Sequence, residues 1–326
     1  MEPVVIHNCT LYNENCISGA PKHIPDSTID LIVTDPPYGI QGTLLHRHYN
    51  RDETFVVGGY VEVPVEEYGE FSLQWIKEAE RVLRPGGSLY IVSGYTNLYY
   101  ILSALRSTEL KEVNHIVWKY NFGVFTRKKF VSSHYHILFY EKPGRQRTFN
   151  LEARFGLSER TIEKRSSNNL DREDVWIINR EYKPRRTKNK NELPIALLTK
   201  IFQYSTNEGD VVADFFCGGF STAKVAIGLK RRFIGFEISQ NIFRKKIQEL
   251  QYVEPGFLLH SQRVPKIEPK RNQGRLWTKN EFHRLVELYT SLQMRGLSKK
   301  DMIEIIKDDL GRGYWAIEKA LKKMRS

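Results

Sequence analysis

Short apolar runs and longer amphipathic stretches take turns along the first 144 residues. Ile29-Asp30-Leu31-Ile32-Val33-Thr34 is an apolar run that leads into an acid and two prolines, the pattern of a buried parallel strand with a loop at its carboxyl end. From Tyr68 to Leu83 the positions Phe71, Trp75, Ile76, Ala79, Val82 and Leu83 share one helical face, and Arg84-Pro85-Gly86-Gly87 is expected to stop that helix. Strands are predicted over 88–92, 113–118 and 136–140, with a helix over 95–105 between the first two. After a polar, basic stretch at 145–190 the alternation resumes, with helices over 194–204 and 221–230, strands over 211–215 and 233–238, and a last helix ending at Leu250. This alternation predicts an α/β fold on a parallel sheet, with the basic stretch inserted between its two halves.

The length of 326 residues leaves room for a second, smaller unit. Its pattern is helical: Thr278 can cap a helix bearing Phe282, Leu285, Val286 and Tyr289, a second carries Met302, Ile305, Ile306 and Leu310, and Gly311-Arg312-Gly313 turns into a third with Trp315, Ile317, Ala320, Leu321 and Met324. The predicted division is a catalytic domain at 1–262 and a basic helical module at 263–326, joined near Pro265 and Pro269. Such a module reads either as a helix-turn-helix or Myb-like DNA binder, or as a bundle for dimer contact.

Fifty Lys and Arg against 38 Asp and Glu give a net charge of +12, the balance of a protein with a polyanionic partner. The excess is local: about +6 over 145–190 and about +7 over 265–326, with the remainder near neutral. Charge alone does not separate nucleic acid from an anionic membrane. No apolar run approaches the roughly 18 residues that span a bilayer, and Met1-Glu2-Pro3 opens without the basic and apolar regions of a secretory signal. Three scattered cysteines, Cys9, Cys16 and Cys217, supply neither a disulfide framework nor a zinc site, so a reducing, cytoplasmic location is expected.

Two short stretches carry chemistry. In Asp214-Phe215-Phe216-Cys217-Gly218-Gly219-Phe220-Ser221-Thr222, a strand passes through glycines into a helix, which lets backbone and free N–H groups approach a nucleotide-like ligand. A glycine pair alone would be an ordinary turn. Glu237, eighteen residues beyond Gly219 at the end of the next strand, changes that, because a carboxylate there can accept both ribose hydroxyls. No G-x-G-x-x-G and no phosphate-loop lysine is present, so the ligand is read as adenosine-like and poor in phosphate. In Thr34-Asp35-Pro36-Pro37-Tyr38-Gly39, the prolines stiffen the loop and remove donors, leaving the Asp35 carboxylate and the Pro36 carbonyl as two acceptors for an exocyclic amino group. Tyr38 offers a ring on which a base can stack.

In combination, these stretches resemble the DNA amino-methyltransferases that use S-adenosylmethionine to methylate N6 of adenine or N4 of cytosine. Asp35-Pro36-Pro37-Tyr38 looks like their catalytic motif and the Asp214 to Phe220 run like their cofactor loop; the catalytic motif coming first, with a basic insertion between, looks like the beta group. Further similarities lie at Asn13 to Cys16, Arg81 to Gly87, Ile116 to Lys119, Asp174 to Trp176, Gly209-Asp210 and Arg232 to Glu237, so that the likeness spans about residues 5 to 252. The chain departs from the family at Phe220, usually glycine, at Leu193, usually a lysine before the proline, and at Asn15, usually an acid.

The resemblance implies a Rossmann-like methyltransferase sheet with helices on both faces, S-adenosylmethionine as cofactor, and double-stranded DNA as substrate. It implies catalytic roles for Asp35, Pro36 and Tyr38, and cofactor contacts from Asp35, Asp214, Phe216, Cys217, Gly218, Gly219, Ser221, Thr222 and Glu237. The stretch 145–190 takes the target-recognition position, with Arg145, Arg147, Arg154, Arg160, Lys164, Arg165, Arg185 and Arg186 as DNA contacts, joined by Arg312 from the last module. Residues 40–62, with His46, His48, Arg51, Gly58 and Gly59, look like a loop that closes over substrate; the two histidines lack partners for a metal, and none is expected. N6 of adenine is the favoured target because Asp opens the motif, with N4 of cytosine as the alternative. A reading of another class is a non-catalytic DNA-binding protein on a degraded methyltransferase fold. A second copy of the chain and a cognate restriction endonuclease are the candidate protein partners, and no membrane is expected.

Overall fold

The computed structural model describes residues 2–39, 63–121, 123, 127–180, 192–263, 272 and 276–323. The predicted closing loop at 40–62, with its histidines, and the predicted DNA contacts Arg185 and Arg186 lie outside the described residues. Two compact units are present, 1–264 and 265–326.

The first unit is built on nine strands: β1 (Val4–Ile6), β2 (Cys9–Tyr12), β3 (Ile29–Thr34), β4 (Leu83–Ser93), β5 (Lys111–Lys119), β6 (His134–Glu141), β7 (Val175–Ile177), β8 (Val211–Asp214) and β9 (Arg232–Phe236). Their order across the sheet is β1-β2-β9-β8-β3-β4-β6-β5-β7. The centre, from β2 to β4, is parallel, but β4, β6 and β5 pair antiparallel and β1 returns antiparallel on β2. The all-parallel expectation is therefore corrected to a mixed sheet. The reason is local: Lys119 pairs with His134, so β5 and β6, consecutive in the chain, are antiparallel neighbours.

Helices cover both faces. From Leu31 on, successive residues of β3 point opposite ways: Leu31 and Val33 pack under α5 (Ile195–Ser205), α6 (Ser221–Gly228) and α7 (Gln240–Leu250), while Ile32, with Ile29 from before a register shift, packs under α1 (Cys16–His23), α2 (Tyr68–Val82) and α3 (Leu98–Arg106). Because the sheet is buried on both sides, its central strands are continuous apolar runs, which made them legible.

Three local boundaries differ from expectation. Arg84-Pro85-Gly86-Gly87 ends α2 but already belongs to β4, entered through an irregular register in which Gly86 takes φ +78° and donates to the Lys142 carbonyl at 2.8 Å. The helix expected from 95 begins at Leu98. The stretch 145–190 is not wholly an insertion: it contains α4 (Ser167–Asp171), and then β7 joins the sheet edge beside β5, Trp118 opposite Trp176.

In the second unit α8 (Lys279–Met294), α9 (Lys299–Leu310) and α10 (Tyr314–Lys323) close on Leu285, Leu292, Ile303, Ile306, Leu310, Ile317 and Leu321. Thr278 and Glu281 form a reciprocal capping box at the start of α8. Arg312, expected to meet DNA, is instead 4% exposed; its guanidinium makes two bonds to Glu281 (3.0 and 2.9 Å) and lies 4.8 Å from the centre of the Trp277 ring. It holds this unit together.

Candidate active site

The site stands where three neighbouring parallel strands end. Leu31 and Ile32 of β3 lie beside Val212 and Ala213 of β8, and Asp214 lies beside Gly235 of β9. Thr34-Asp35, Asp214-Phe215 and Phe236-Glu237 thus emerge together at the carboxyl edge, the place where such sheets hold ligands.

One buried knot fixes the two motifs to each other. Asp214, 3% exposed, accepts from Thr34 Oγ1 (3.0 Å) and the Phe216 N–H (3.0 Å) on Oδ1, and from Thr222 Oγ1 (2.7 Å) on Oδ2. Burial pushes its carboxyl up to about 6, against these donors. The side chains of Asp214 and Thr222, both expected at the cofactor, are bonded to each other within this knot. Cys217 is likewise turned inward. Its N–H donates to the Phe236 carbonyl at 2.9 Å, its thiol is pushed well above the usual range by burial, and a Cβ on Gly235 would lie 2.3 Å from its sulfur. The close approach explains the glycine and leaves Cys217 a packing role.

The groups left facing a ligand are fewer. Glu237 accepts from the Gly218 N–H (2.8 Å) and the Ser239 N–H (2.7 Å), one on each oxygen, which ties the glycine loop to the end of β9 and leaves a second lone pair on each oxygen. Burial raises its carboxyl to about 7. Asn13 donates to the Glu237 carbonyl at 2.7 Å, and Asn15 caps α1 by accepting from the Ile17 N–H, as an acid would. Gly218 takes φ +47°, and Gly219 packs so tightly on Glu192 that a Cβ would meet its Cγ at 2.2 Å. Phe216 is half-buried, its ring edge-on to Trp75 at 5.5 Å, and Ser221 opens α6. Phe220 occupies the left-handed region, φ +58°, with its ring fully buried against Phe243. The glycine usual at this place in the family matches that conformation, and here ring burial offsets the strain.

On the β3 side, the Tyr38 hydroxyl donates to Asp35 Oδ1 at 2.7 Å. The loop is held by its carbonyls: Tyr68 donates to Pro37 (2.8 Å), and Asn97 to Tyr38 (2.6 Å) and Gly39 (3.2 Å). Burial raises Asp35 to about 7, offset in part by Tyr38 and by the charge of Arg180. Arg180 was missed by sequence reasoning, as were Tyr120 and Tyr135. Tyr38 stacks on Tyr135 (5.6 Å, 22°), which adjoins Tyr120 and Trp118, and the Arg180 guanidinium lies 4.6 Å from the Tyr120 ring, 5.0 Å from Tyr135 and 5.7 Å from Trp118. No local motif announces this cluster, since the antiparallel pairing of β5 with β6 assembles it.

The predicted DNA-contact residues of 145–190 divide into two sets. Arg147 pairs with Glu141 (2.7 Å) and lies over Phe139 and Phe149, and Arg154 pairs with Asp171 (2.9 Å) and donates to Gln203 (2.8 Å), so both are partnered within the fold. Arg145, Arg160, Lys164 and Arg165 are exposed; Arg160 donates to the carbonyls of its own turn, and Arg165 has a long contact with Glu173 (3.8 Å).

Fold and site define an α/β domain in which the Asp35 loop, the glycine loop and Glu237 converge at the carboxyl edge of a largely parallel sheet centre. Comparison with known proteins gives the family: a sequence model of the N6 and N4 DNA methylases matches residues 29–249, and the chain belongs to that family. It is similar to the type II methyltransferase M.BamHI of Bacillus amyloliquefaciens, 29% identical over 83% of this chain and 66% of that one, and so spans about two thirds of that relative's length. It is 30% identical to M.HpaI of Haemophilus parainfluenzae over 72% of each chain. Among solved structures, an S-adenosylmethionine complex of M1.HpyAVI matches with a TM-score of 0.53 at 20% identity, covering 74% of this chain and 98% of that one. Among the described residues, no helix is long and apolar enough to cross a membrane.

Proposed function

We propose that the chain is a DNA methyltransferase that uses S-adenosylmethionine to methylate N6 of adenine in double-stranded DNA, as the modification partner in a restriction system. The supporting observation is the juxtaposition of Asp35 and Glu237 across the Thr34 to Asp214 knot, which sets an amine-accepting loop beside a nucleoside-accepting one. The relatives named type II methyltransferases point the same way. S-adenosylmethionine is the cofactor that suits the loop: it carries a ribose for Glu237 and no phosphate. When bound, it supplies a methyl group whose bonding pair stays with sulfur as the N–C bond forms.

The residues do the rest. The target base leaves the stack and lies against Tyr38. The Asp35 oxygen that Tyr38 leaves, together with the Pro36 carbonyl, accepts the two amino hydrogens, which turns the nitrogen lone pair out of the ring for in-line attack. Asp35 then stands where the departing proton is released. No covalent enzyme intermediate is required, consistent with the inward Cys217. Arg145, Arg160, Lys164 and Arg165 meet the DNA backbone and bases.

N4 of cytosine is the second reading, because the family takes both amino groups and the same two acceptors serve either. The degraded, non-catalytic reading is not favoured, since Phe220 is accommodated and the set Asp35, Pro36, Tyr38, Gly218 and Glu237 is intact. The test is nucleoside mass spectrometry of DNA incubated with the protein and isotopically labelled S-adenosylmethionine. Labelled N6-methyldeoxyadenosine, absent with Asp35→Ala, is expected; label on cytosine selects the second reading, and label on neither refutes the activity.

A further inference from the structure

Asp35 and Pro36 address only the amino group of the target, and an amino group flanked by a ring nitrogen is common to adenine and cytosine. Something must meet the ring itself. Arg180 lies just after β7, 145 residues from Asp35 in sequence, yet its charge acts on both Asp35 and Tyr38. Its guanidinium carbon lies over three rings, Tyr120, Tyr135 and Trp118, and Trp118 is itself anchored by donating to the Ile178 carbonyl at 2.8 Å, two residues before Arg180. The Arg180 Nε is buried and has no hydrogen-bond partner among the described residues. A buried donor left unpaired is costly, and a guanidinium presents its donors in a fixed planar fork suited to a base edge. Arg180 carries no Asp or Glu ion pair among the described residues, unlike Arg147 and Arg154.

We propose that Arg180 reads the ring of the target base, donating a hydrogen bond to a ring nitrogen of adenine that flanks the amino group held by Asp35 and Pro36. The inference rests on the adenine reading above. It makes Arg180 a substrate-contacting residue that fixes the rotation of the base about Tyr38, so that the amino group meets both acceptors at once. The cluster draws on three strands: Trp118 from β5, Tyr135 from β6 and Arg180 three residues beyond β7. The short edge strand β7, which lies within the basic stretch, therefore couples that stretch to this cluster.

The test begins with the wild type, labelled S-adenosylmethionine and genomic DNA, with methylated sites mapped by sequencing. Duplexes of the mapped site are then made with adenine, 1-deazaadenine or 7-deazaadenine at the target, and transfer is measured for the wild type, Arg180→Met and Arg180→Lys. Arg180→Met is expected to lower kcat/KM on adenine about 10- to 100-fold, the range for a hydrogen bond from a charged donor, with S-adenosylmethionine Kd changed by less than about twofold. One of the two deaza substrates should lower the wild type by a similar factor, and Arg180→Met should lose little more on it. Unchanged transfer by Arg180→Met overturns the proposal. So does an equal loss on all three substrates, which would make Arg180 only a counter-charge for Asp35. Arg180→Lys, which keeps the charge and loses the plane, should resemble Arg180→Met; full activity in it also overturns the proposal. Retained cofactor binding shows that the variants fold. A wild type that labels no adenine refutes the functional reading instead, before any variant is compared.

Discussion

Phe220 permits a prediction whose sign is unusual. Replacing a buried phenylalanine with alanine costs about 3–5 kcal/mol in lost burial and cavity. Here the ring is fully buried against Phe243, so Phe220→Ala should fall in that range. Glycine would ordinarily be worse than alanine by about 0.5–1 kcal/mol, through the entropy of the unfolded chain. At φ +58°, however, any residue with a Cβ carries about 1–2 kcal/mol of left-handed strain, which glycine does not. The relief exceeds the entropy, so Phe220→Gly should be more stable than Phe220→Ala by about 0.5–1 kcal/mol. For a unit of this size, that is roughly 1–4 °C in melting temperature, with both variants well below the wild type. Differential scanning calorimetry of the three proteins, following the transition of residues 1–264, measures it. If the alanine variant melts at or above the glycine variant, Phe220 is not strained and its conformation has been misassigned.

Other outcomes follow from the charged groups. Asp35 must be ionised to accept the amino hydrogens, and with its carboxyl near 7, kcat/KM should fall as pH drops below about 7 and level off above it; a flat profile from pH 5 to 8 would remove Asp35 from that role. Asp35, Asp214 and Glu237 are all raised, so the folded state holds their protons more tightly than the unfolded chain. The stability they contribute is complete below the ordinary carboxylate range and is lost as pH rises through about 6 to 7; denaturant titrations should show a shallower decline for Asp35→Asn than for the wild type, and equal slopes would count against the raised value. Arg312→Ala should destabilise the helical unit by about 3 kcal/mol, because it strands Glu281. Arg145→Ala should leave the melting temperature unchanged and flatten the salt dependence of DNA binding by about one unit of slope; the reverse pattern would exchange the two assignments.

The central sheet was legible because strands buried on both faces are written as unbroken apolar runs, as at Ile29–Thr34, and because glycines and acids at their carboxyl ends mark the loops. The antiparallel pairing of β5 with β6 was not, since antiparallel and parallel neighbours leave similar apolar runs, and so the aromatic cluster with Arg180 went unseen. Residue type also said too little about direction. Asp214, Thr222 and Cys217 belong to the right loop, but whether a side chain faces the ligand or its own backbone depends on neighbours supplied from 180 residues away, such as Thr34. Residue type likewise did not say which arginines pair inside the fold: Arg147, Arg154 and Arg312 each find an acid there.

The knot between Thr34 and Asp214 has a topological consequence. The donor-holding and acceptor-holding loops sit on adjacent strands, and the strand register alone fixes their separation; the 180 residues of chain between them contribute nothing to it. Which loop is synthesised first is then immaterial to the finished site. A chain cut in the exposed turn near Lys164, with its old ends joined by a flexible tether, would read its motifs in the opposite order and could still present them to each other unchanged. For this architecture, the linear arrangement of motifs is a free variable, and adjacency in the sheet is the invariant.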